Sequence, residues 1–553
     1  MRTYRASLRI FCVILVLFLA AASPKPVLAG VTYTVTNSAS SGSGSLRQAI
    51  LDANSNPGKD SIHFAIPTSD PGYSTSLGVW FIRLTLVLPM LEDPNGVEID
   101  GTTQPGSHPY LPGIIIEHTA SVPVGADLLT IISQFNIVKE LGLFNSRGDG
   151  IIIQGSKNVV LNNQIFSSAG YGISLLSGSE ENDIDSNAVC GHALDGIHLD
   201  GADHNMIDNN SIGVQPAYIP TVGRNQGSGI AALGSDANTF QGNVISNNVA
   251  SGLYLSGSNA NQILENTIGM DSGRTLALGN DEYGIYIGDG SDNVITDNWI
   301  SGNGSDGVRL TGTITTGNIV QKNWIGTAYS APIPNAHHGI ALYNSAHHNT
   351  IGSASDITFG NVVLGNGWSG IVVVNSPLGA NVIGNNSIYS QGFYGIHVNN
   401  SPGNAIIANR IAGNGVMANS AGVRVENSGG VDDASDFNLI WSNQIFNNFG
   451  EGIQLVGDAN NNILPPVILN ASCSQVSGTA CAGCWVQVFS DLYDEGRSYE
   501  GVTTANASGS FSLAINAVES NITAVAIDGP GNSSEFSLPV TACFRLSLPI
   551  LMK

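Results

Sequence analysis

The chain has 553 residues, and 42 Asp and Glu against 19 Lys and Arg give it a formal charge of −23. So acidic a surface repels phosphate backbones, which excludes nucleic-acid binding. Glycine is abundant at 67 residues and charged residues make up only 11 %, yet a hydrophobic content of 42 % excludes a disordered chain, so order must come from a pattern.

Residues 1–29 read as a secretory signal peptide. Arg2, Arg5 and Arg9 precede the apolar run Ile10 to Ala22, and Val27-Leu28-Ala29 supplies the small-residue cleavage site. The run is shorter than the roughly 20 residues a spanning helix needs, and no later segment is long enough, so the mature chain is expected to have no transmembrane segment and to be secreted or held at a bacterial cell surface. Cleavage leaves 15 basic residues against 42 acidic ones. Export makes disulfides the default for Cys473, Cys481, Cys484 and Cys543, with their pairing unreadable. Cys481-x-x-Cys484 also has the spacing of half a zinc site or a redox pair, but the nearest histidine is His397 and no strand-helix unit follows.

Residues 30–66 are expected to cap a solenoid. The strand Tyr33 to Val35 precedes Ser45-Leu46-Arg47-Gln48, a capping box, and Leu46, Ala49, Ile50 and Ala53 make one apolar helical face that stops before Gly58.

Residues 67–464 carry the repeat. A glycine followed by two aliphatics with one residue between them recurs at Gly150, Gly172, Gly196, Gly229, Gly252, Gly284, Gly307, Gly339, Gly370, Gly395, Gly422 and Gly452. Period two means strand. Five residues after most of these glycines stands Gly, Asn or Asp, from Gly155 and Gly201 to Asn400 and Gly457, so each coil bends at the same place. A second strand is read from a pair of asparagines five apart, Asn158/Asn163 through Asn266 and Asn298 to Asn438/Asn443, whose amides stack from coil to coil. Coils of 22 to 33 residues without helical periodicity must bond to the coils above and below them. A propeller needs about 40 residues per repeat. The fold class is therefore all-β: a right-handed parallel β-helix of about twelve clear coils, on the order of 60 Å long at about 4.8 Å per coil, followed by a small β-sandwich. Three insertions, Gly213 to Gln226, Gly269 to Glu282 and Gly326 to His337, fall after the second strand and project from one side.

Gly44 to Asn54, Asp60 to Phe64 and Val97-Glu98-Ile99-Asp100-Gly101-Thr102-Thr103-Gln104-Pro105-Gly106 resemble the leader of bacterial secreted right-handed β-helix repeat proteins of the broad pectate-lyase-like group. The loop from Asn266-Thr267-Ile268-Gly269 to Leu278-Gly279-Asn280 is similar as well, and the resemblance spans Val31 to Leu464. It implies the fold. Within that group some members are polysaccharide lyases, epimerases or hydrolases and others are adhesins or surface proteins.

Residues 465–543 read as an immunoglobulin-like sandwich, from short alternating strands such as Trp485 to Phe489 and Ile522 to Ile527. Asp491 to Gly496 is acidic enough to suggest calcium but lacks the spacing of a calcium loop, so a solvated hairpin turn is expected there. Residues 544–553 form a tail, read as an edge strand or sorting signal.

Stacking brings distant residues together. Down the outward column between the two aliphatics, Tyr254, Tyr286 and Arg309 fall on adjacent coils, flanked by Tyr283 and Asp306. Aromatic faces beside polar groups suit sugar rings. These five are the expected ligand-binding residues, with a polysaccharide or cell-surface glycan as partner. The expected function is glycan binding or adhesion by a monomer. The alternative is a polysaccharide lyase, epimerase or glycoside hydrolase, with Asp306 and Arg309, or the carboxylate pair Asp149 and Asp195, as weak catalytic candidates. No metal site or cofactor is expected beyond the calcium considered above. His198 with its acidic neighbours and the doublets His337-His338 and His347-His348 are assigned to the surface.

Overall fold

The computed structural model describes residues 30–542 except 107–109, 215–222, 330, 417–418 and 430–433. Residues 1–29, read above as a signal peptide, lie outside the described residues, as do Cys543, the tail 544–553 and most of the first insertion.

The aliphatic pair of each repeat lies on a short strand such as Ile151–Ile153, Ile173–Leu175 or Leu253–Ser256, and these strands stack in parallel and in register, Ile151 beside Ile173 beside Ile197. Both aliphatics point inward and are fully buried, while the residue between them faces out. The motif glycine is a close-approach position. A Cβ on Gly252 would stand 2.6 Å from Ile268 Cγ2 and 2.7 Å from the Gly284 carbonyl oxygen of the next coil.

Among the described residues this glycine-motif sheet has 13 strands, and two further long sheets have 15 each. The unit read as one second strand is two. Asn158 leads Val159–Leu161 of one long sheet and Asn163 leads Gln164–Phe166 of the other, with Asn162 at φ 55° turning the corner between them. A coil is therefore three strands and three corners. The stack also begins earlier than the run of motif glycines at Gly150, with Leu129–Ile131, Ile114–His118 and Val97–Asp100 already in it.

The asparagines form ladders along the rod. Asn266 donates from its backbone N (2.9 Å) and Nδ2 (3.0 Å) to Asn298 Oδ1, which lies in the coil above, and the same two bonds recur through both columns. The amides fasten corners whose preceding residue is left-handed at nearly every rung, such as Lys157, Glu181 or Ala237 at φ 60°, 54° and 56°, with Gly360 before Asn361 an exception. A third ladder runs from Asn225 through Asn248, Asn280, Asn303, Asn335, Asn366, Gln391 and Asn414 to Asn448.

Both ends of the rod are closed. Helix α1 (Leu46–Ser55) covers the first coils with Leu46, Ala49, Ile50 and Ala53 buried, and Ser45 Oγ accepts from Gln48 N at 3.3 Å. Gln48 Nε2 turns to Asp52 (2.8 Å) instead of returning to the cap. At the other end, antiparallel sheets of 3 and 4 strands form the C-terminal unit. Its side chains take the bonds a further coil would have made. Asn532 Oδ1 accepts from Phe437 N (2.6 Å), Ser533 Oγ from Ile440 N (2.8 Å), Gln487 Oε1 from Ser442 N (2.7 Å) and Glu535 Oε1 from Leu455 N (2.9 Å). Phe489 and Val525 join the solenoid's own core.

The acidic segment 491–496 is not a solvated hairpin. Gly496 bridges Ile445, and Glu495, 3 % exposed, accepts from Asn448 N (3.1 Å) and Nδ2 (2.9 Å) to end the third ladder. Burial pushes its carboxyl up to about 7, helped by Asp491 and Asp494 and opposed by the Asn448 bonds. Cys481 is joined to Cys484, and Cys473 is also disulfide-bonded. Among the described residues no helix is long and apolar enough to cross a membrane.

Candidate functional site

The outward column of the glycine-motif sheet stands in the register expected, His198, Ala231, Tyr254, Tyr286, Arg309, Ala341, Val372, His397 and Arg424 on successive coils. Parallel stacking holds Tyr254 and Tyr286 face to face, with ring centroids 4.8 Å apart and planes within 4°. Tyr283 tilts against Tyr286 at 5.4 Å. The Arg309 guanidinium lies over Tyr283 (5.2 Å) and over Tyr343 (4.3 Å), and Nη1 meets Asp306 Oδ2 at 3.2 Å. The five residues read as a patch do come together, and Tyr343 joins them.

Asp306 lies beneath this patch, 1 % exposed, and its Oδ1 accepts from His338 N in the next coil (3.0 Å). Burial raises its carboxyl pKa, against the His338 N–H and Arg309. Asp149 and Asp195 occupy the same place in their coils and use Oδ1 in the same way, towards Tyr171 N (2.8 Å) and Ser228 N (2.6 Å). All three thus spend one oxygen on coil-to-coil bonding. Asp149 is pushed up to about 6 by burial, with Asp127 adding to the effect. Asp195 Oδ2 is 3.0 Å from His198 Nδ1, and the His198 ring stacks on Tyr171 at 4.1 Å.

Beyond Arg309 the outward residues become small, and the surface sinks. Ala341 and Val372 are 0 % and 1 % exposed although they face outward, because rings from neighbouring positions lean over them. His338, Tyr343, Trp368, Phe393, Tyr394 and His397 wall a cavity of about 380 Å³ with Val372 and Val374 in its lining. Trp368 stacks on His337 at 4.5 Å and meets His338 edge-on at 5.3 Å. At the far side Arg424 lies over Tyr394 (5.4 Å) and bonds Glu426 (2.9 Å), which also meets His397 at 3.2 Å. His338 is therefore not the surface residue expected. Burial, followed by His397, His337 and Arg309, pushes it down to about 3, and burial lowers His397 as well.

The insertions cover the corner beside this face. Leu278 O accepts from Asn247 N (2.8 Å), Ile333 O from Gly302 N (3.2 Å), and Asp281 pairs with Arg224 (2.7 Å). Arg274 and Tyr329 of the second and third insertions join an aromatic cluster on a different sheet from the cavity's, where Trp299 stacks on Trp324 at 5.0 Å and Arg274 lies over Trp299 and Tyr329.

Three-strand coils in parallel register around one aliphatic core define a right-handed parallel β-helix protein, with an aromatic strip on one outer face. The family model for the right-handed β-helix region matches residues 149–359 and 350–518, and the chain belongs to that family. No curated protein matches the chain in sequence. Among solved structures it is similar to the A-module of the Azotobacter vinelandii mannuronan C-5 epimerase AlgE6 (12 % identity, 76 % of this chain and 99 % of that one, TM-score 0.40). It is likewise similar to the Dettilon tailspike protein (13 %, 91 % of each chain, TM-score 0.37) and to the catalytic unit of the α-1,3-glucanase of Streptomyces thermodiastaticus strain HF3-3 (13 %, 76 % and 70 %, TM-score 0.35).

Proposed function

We propose that the protein is an exported glycan-binding rod that takes a polysaccharide lengthwise along the outer face of its glycine-motif sheet. The observation that carries this reading is the unbroken strip Tyr254, Tyr286, Arg309, Tyr343, Trp368, Tyr394 and Arg424, one coil after another. At about 4.8 Å per coil, seven coils set their outermost contacts roughly 30 Å apart, which suits a chain of several sugars better than a small ligand. Aromatic faces lie against the C–H faces of sugar rings while polar edges bond the hydroxyls. Arg309 and Arg424 are already balanced by Asp306 and Glu426, so the face offers orientation without a net field.

Affinity electrophoresis of the full chain through gels cast with single polysaccharides tests the reading. Retardation should appear with at least one polymer, and Tyr254→Ala and Tyr286→Ala should each weaken it about tenfold, the loss of about 1.4 kcal/mol of ring contact. Retardation unchanged in both variants refutes the assignment of the face. Release of unsaturated products or new reducing ends that disappears in Arg309→Ala and Asp306→Ala replaces binding with catalysis.

A further inference from the structure

We propose that the cavity between Tyr343 and Tyr394 is a subsite for a single sugar ring carrying a methyl-terminated substituent, such as an acetyl group or the methyl of a deoxy sugar. The inference rests on the glycan-binding reading of this face and specifies what the face prefers. Its size, about 380 Å³, falls within the range of small-molecule sites and is enough for one ring, not for a chain. Its composition narrows the occupant. Trp368, Phe393 and Tyr394 supply three aromatic walls, and Val372 and Val374 supply an aliphatic lining.

The charged groups nearby are committed to each other. Arg309 pairs with Asp306 and Arg424 with Glu426, so an anionic sugar entering the cavity would give up water without meeting an unpaired cation. The two histidines in the wall are held neutral near pH 7 by burial. His338 Nδ1 accepts from Ser369 N (3.3 Å) and His397 Nε2 meets Glu426 (3.2 Å), so the polar groups left to a ring are the hydroxyls of Tyr343, Ser369 and Tyr394 and the Trp368 indole N–H, while Val372 and Val374 offer none. A methyl group against Val372 gains affinity there, whereas a hydroxyl loses it. One buried CH₂ corresponds to about a fourfold gain in binding constant.

Saturation-transfer NMR and titration of the full chain with two matched pairs test this. N-acetylglucosamine against glucose reports an acetyl source, and L-rhamnose against L-mannose reports a deoxy-methyl source. At least one methyl-bearing sugar should bind about fourfold or more tighter than its partner, with its methyl protons receiving the strongest saturation. Trp368→Ala should abolish that preference. Trp368 is 49 % exposed, so its loss leaves the solenoid core intact. Phe393→Ala provides an independent second removal, and Trp324→Ala on another face should leave the preference unchanged. Equal binding within both pairs, binding of none of the four sugars, or a preference that survives Trp368→Ala overturns the proposal. Polysaccharide retention in the Tyr254 and Tyr286 variants is read separately, so the subsite can fail while the strip stands, and the reverse.

Discussion

Replacing Asn298 by alanine removes one rung of the second ladder, and the structure sets the size of the loss. Asn298 is fully buried, and its side-chain amide and backbone N–H take part in six hydrogen bonds. Its Nδ2 donates to Ile263 O (2.8 Å), Thr296 O (2.9 Å) and Asn323 Oδ1 (3.0 Å), and its own N donates to Asn323 Oδ1 (3.0 Å). Its Oδ1 receives Asn266 N (2.9 Å) and Nδ2 (3.0 Å). Alanine keeps the backbone donor. Asn266 Nδ2 retains Phe240 O at 2.8 Å, but the Asn266 N–H and the Ile263 carbonyl lose these partners in the interior. The Asn266 N–H is left orphaned at about 1–3 kcal/mol, and the bonds lost at Ile263 O and Asn323 Oδ1, which keep other donors, add about 1 kcal/mol, so the cost is about 3 kcal/mol. A solenoid opens locally, since each coil touches only its neighbours. Amides of residues 253–268 and 285–300 should therefore exchange on the order of 10²- to 10³-fold faster, while those near residues 114–144 keep their protection. Hydrogen exchange followed by mass spectrometry reads both regions in one sample. Acceleration of less than about threefold in the two coils would show that the ladder is not what holds them.

Removing residues 465–553 should expose the donors of Phe437, Ile440, Ser442 and Leu455 together with the open core, and the shortened rod should self-associate; light scattering that finds it monodisperse and folded contradicts the capping role. Asp208 is pushed up to about 6, first by burial and then by Asp185 and Asp183. A carboxyl raised in the fold contributes stability that is fully present below its ordinary value near 4 and is lost as pH rises through about 6. Asp208→Asn should thus gain in melting temperature relative to the parent between pH 4 and pH 8, and a difference constant over that window refutes the coupling. Ala260 sits at φ 56° in the corner before Asn261. A left-handed Cβ costs about 1–2 kcal/mol and the added chain freedom of glycine costs about 0.5–1, so Ala260→Gly should stabilise by about 0.5 kcal/mol in chemical denaturation. Destabilisation beyond about 1 kcal/mol would mean the side chain is needed there.

The Ala260 corner also shows why parts of the coil were hidden in the sequence. The bend after the glycine-motif strand is visible because Gly, Asn or Asp stands there, and Gly201, Gly234 and Asn375 are indeed left-handed. Later in that same corner Lys157, Glu181, His204 and Ala237 take the same conformation, as do Ser186, Glu265 and Lys322 in the next corner, and no residue type announces it. There the amide ladder does the fastening and leaves the preceding residue free to vary, so the asparagine pair reads as one strand instead of two. The third ladder carried a signal that went unread, an asparagine four residues before Gly229, Gly252, Gly284, Gly307, Gly339, Gly370 and Gly452. The docking of 491–496 carried none, because a buried acidic cap and a solvated acidic turn are written with the same residues.

The site divides along the same line. Tyr254, Tyr286 and Arg309 were legible because period-two alternation fixes which residue faces out, and a parallel register places equivalent positions on adjacent coils. The cavity was not, because its walls come from other positions. Trp368 lies two residues before its motif glycine, Tyr394 one before, and Tyr343 four after. In the outward column Ala341 and Val372 look like the point where the aromatic strip stops. They are the reason it continues: small side chains there let the rings of His338, Trp368, Phe393 and Tyr394 close over the sheet, and a larger residue in place of Val372 would fill the space they enclose. A column read from sequence reports what each position presents, whereas a cavity is made by what two of them withhold.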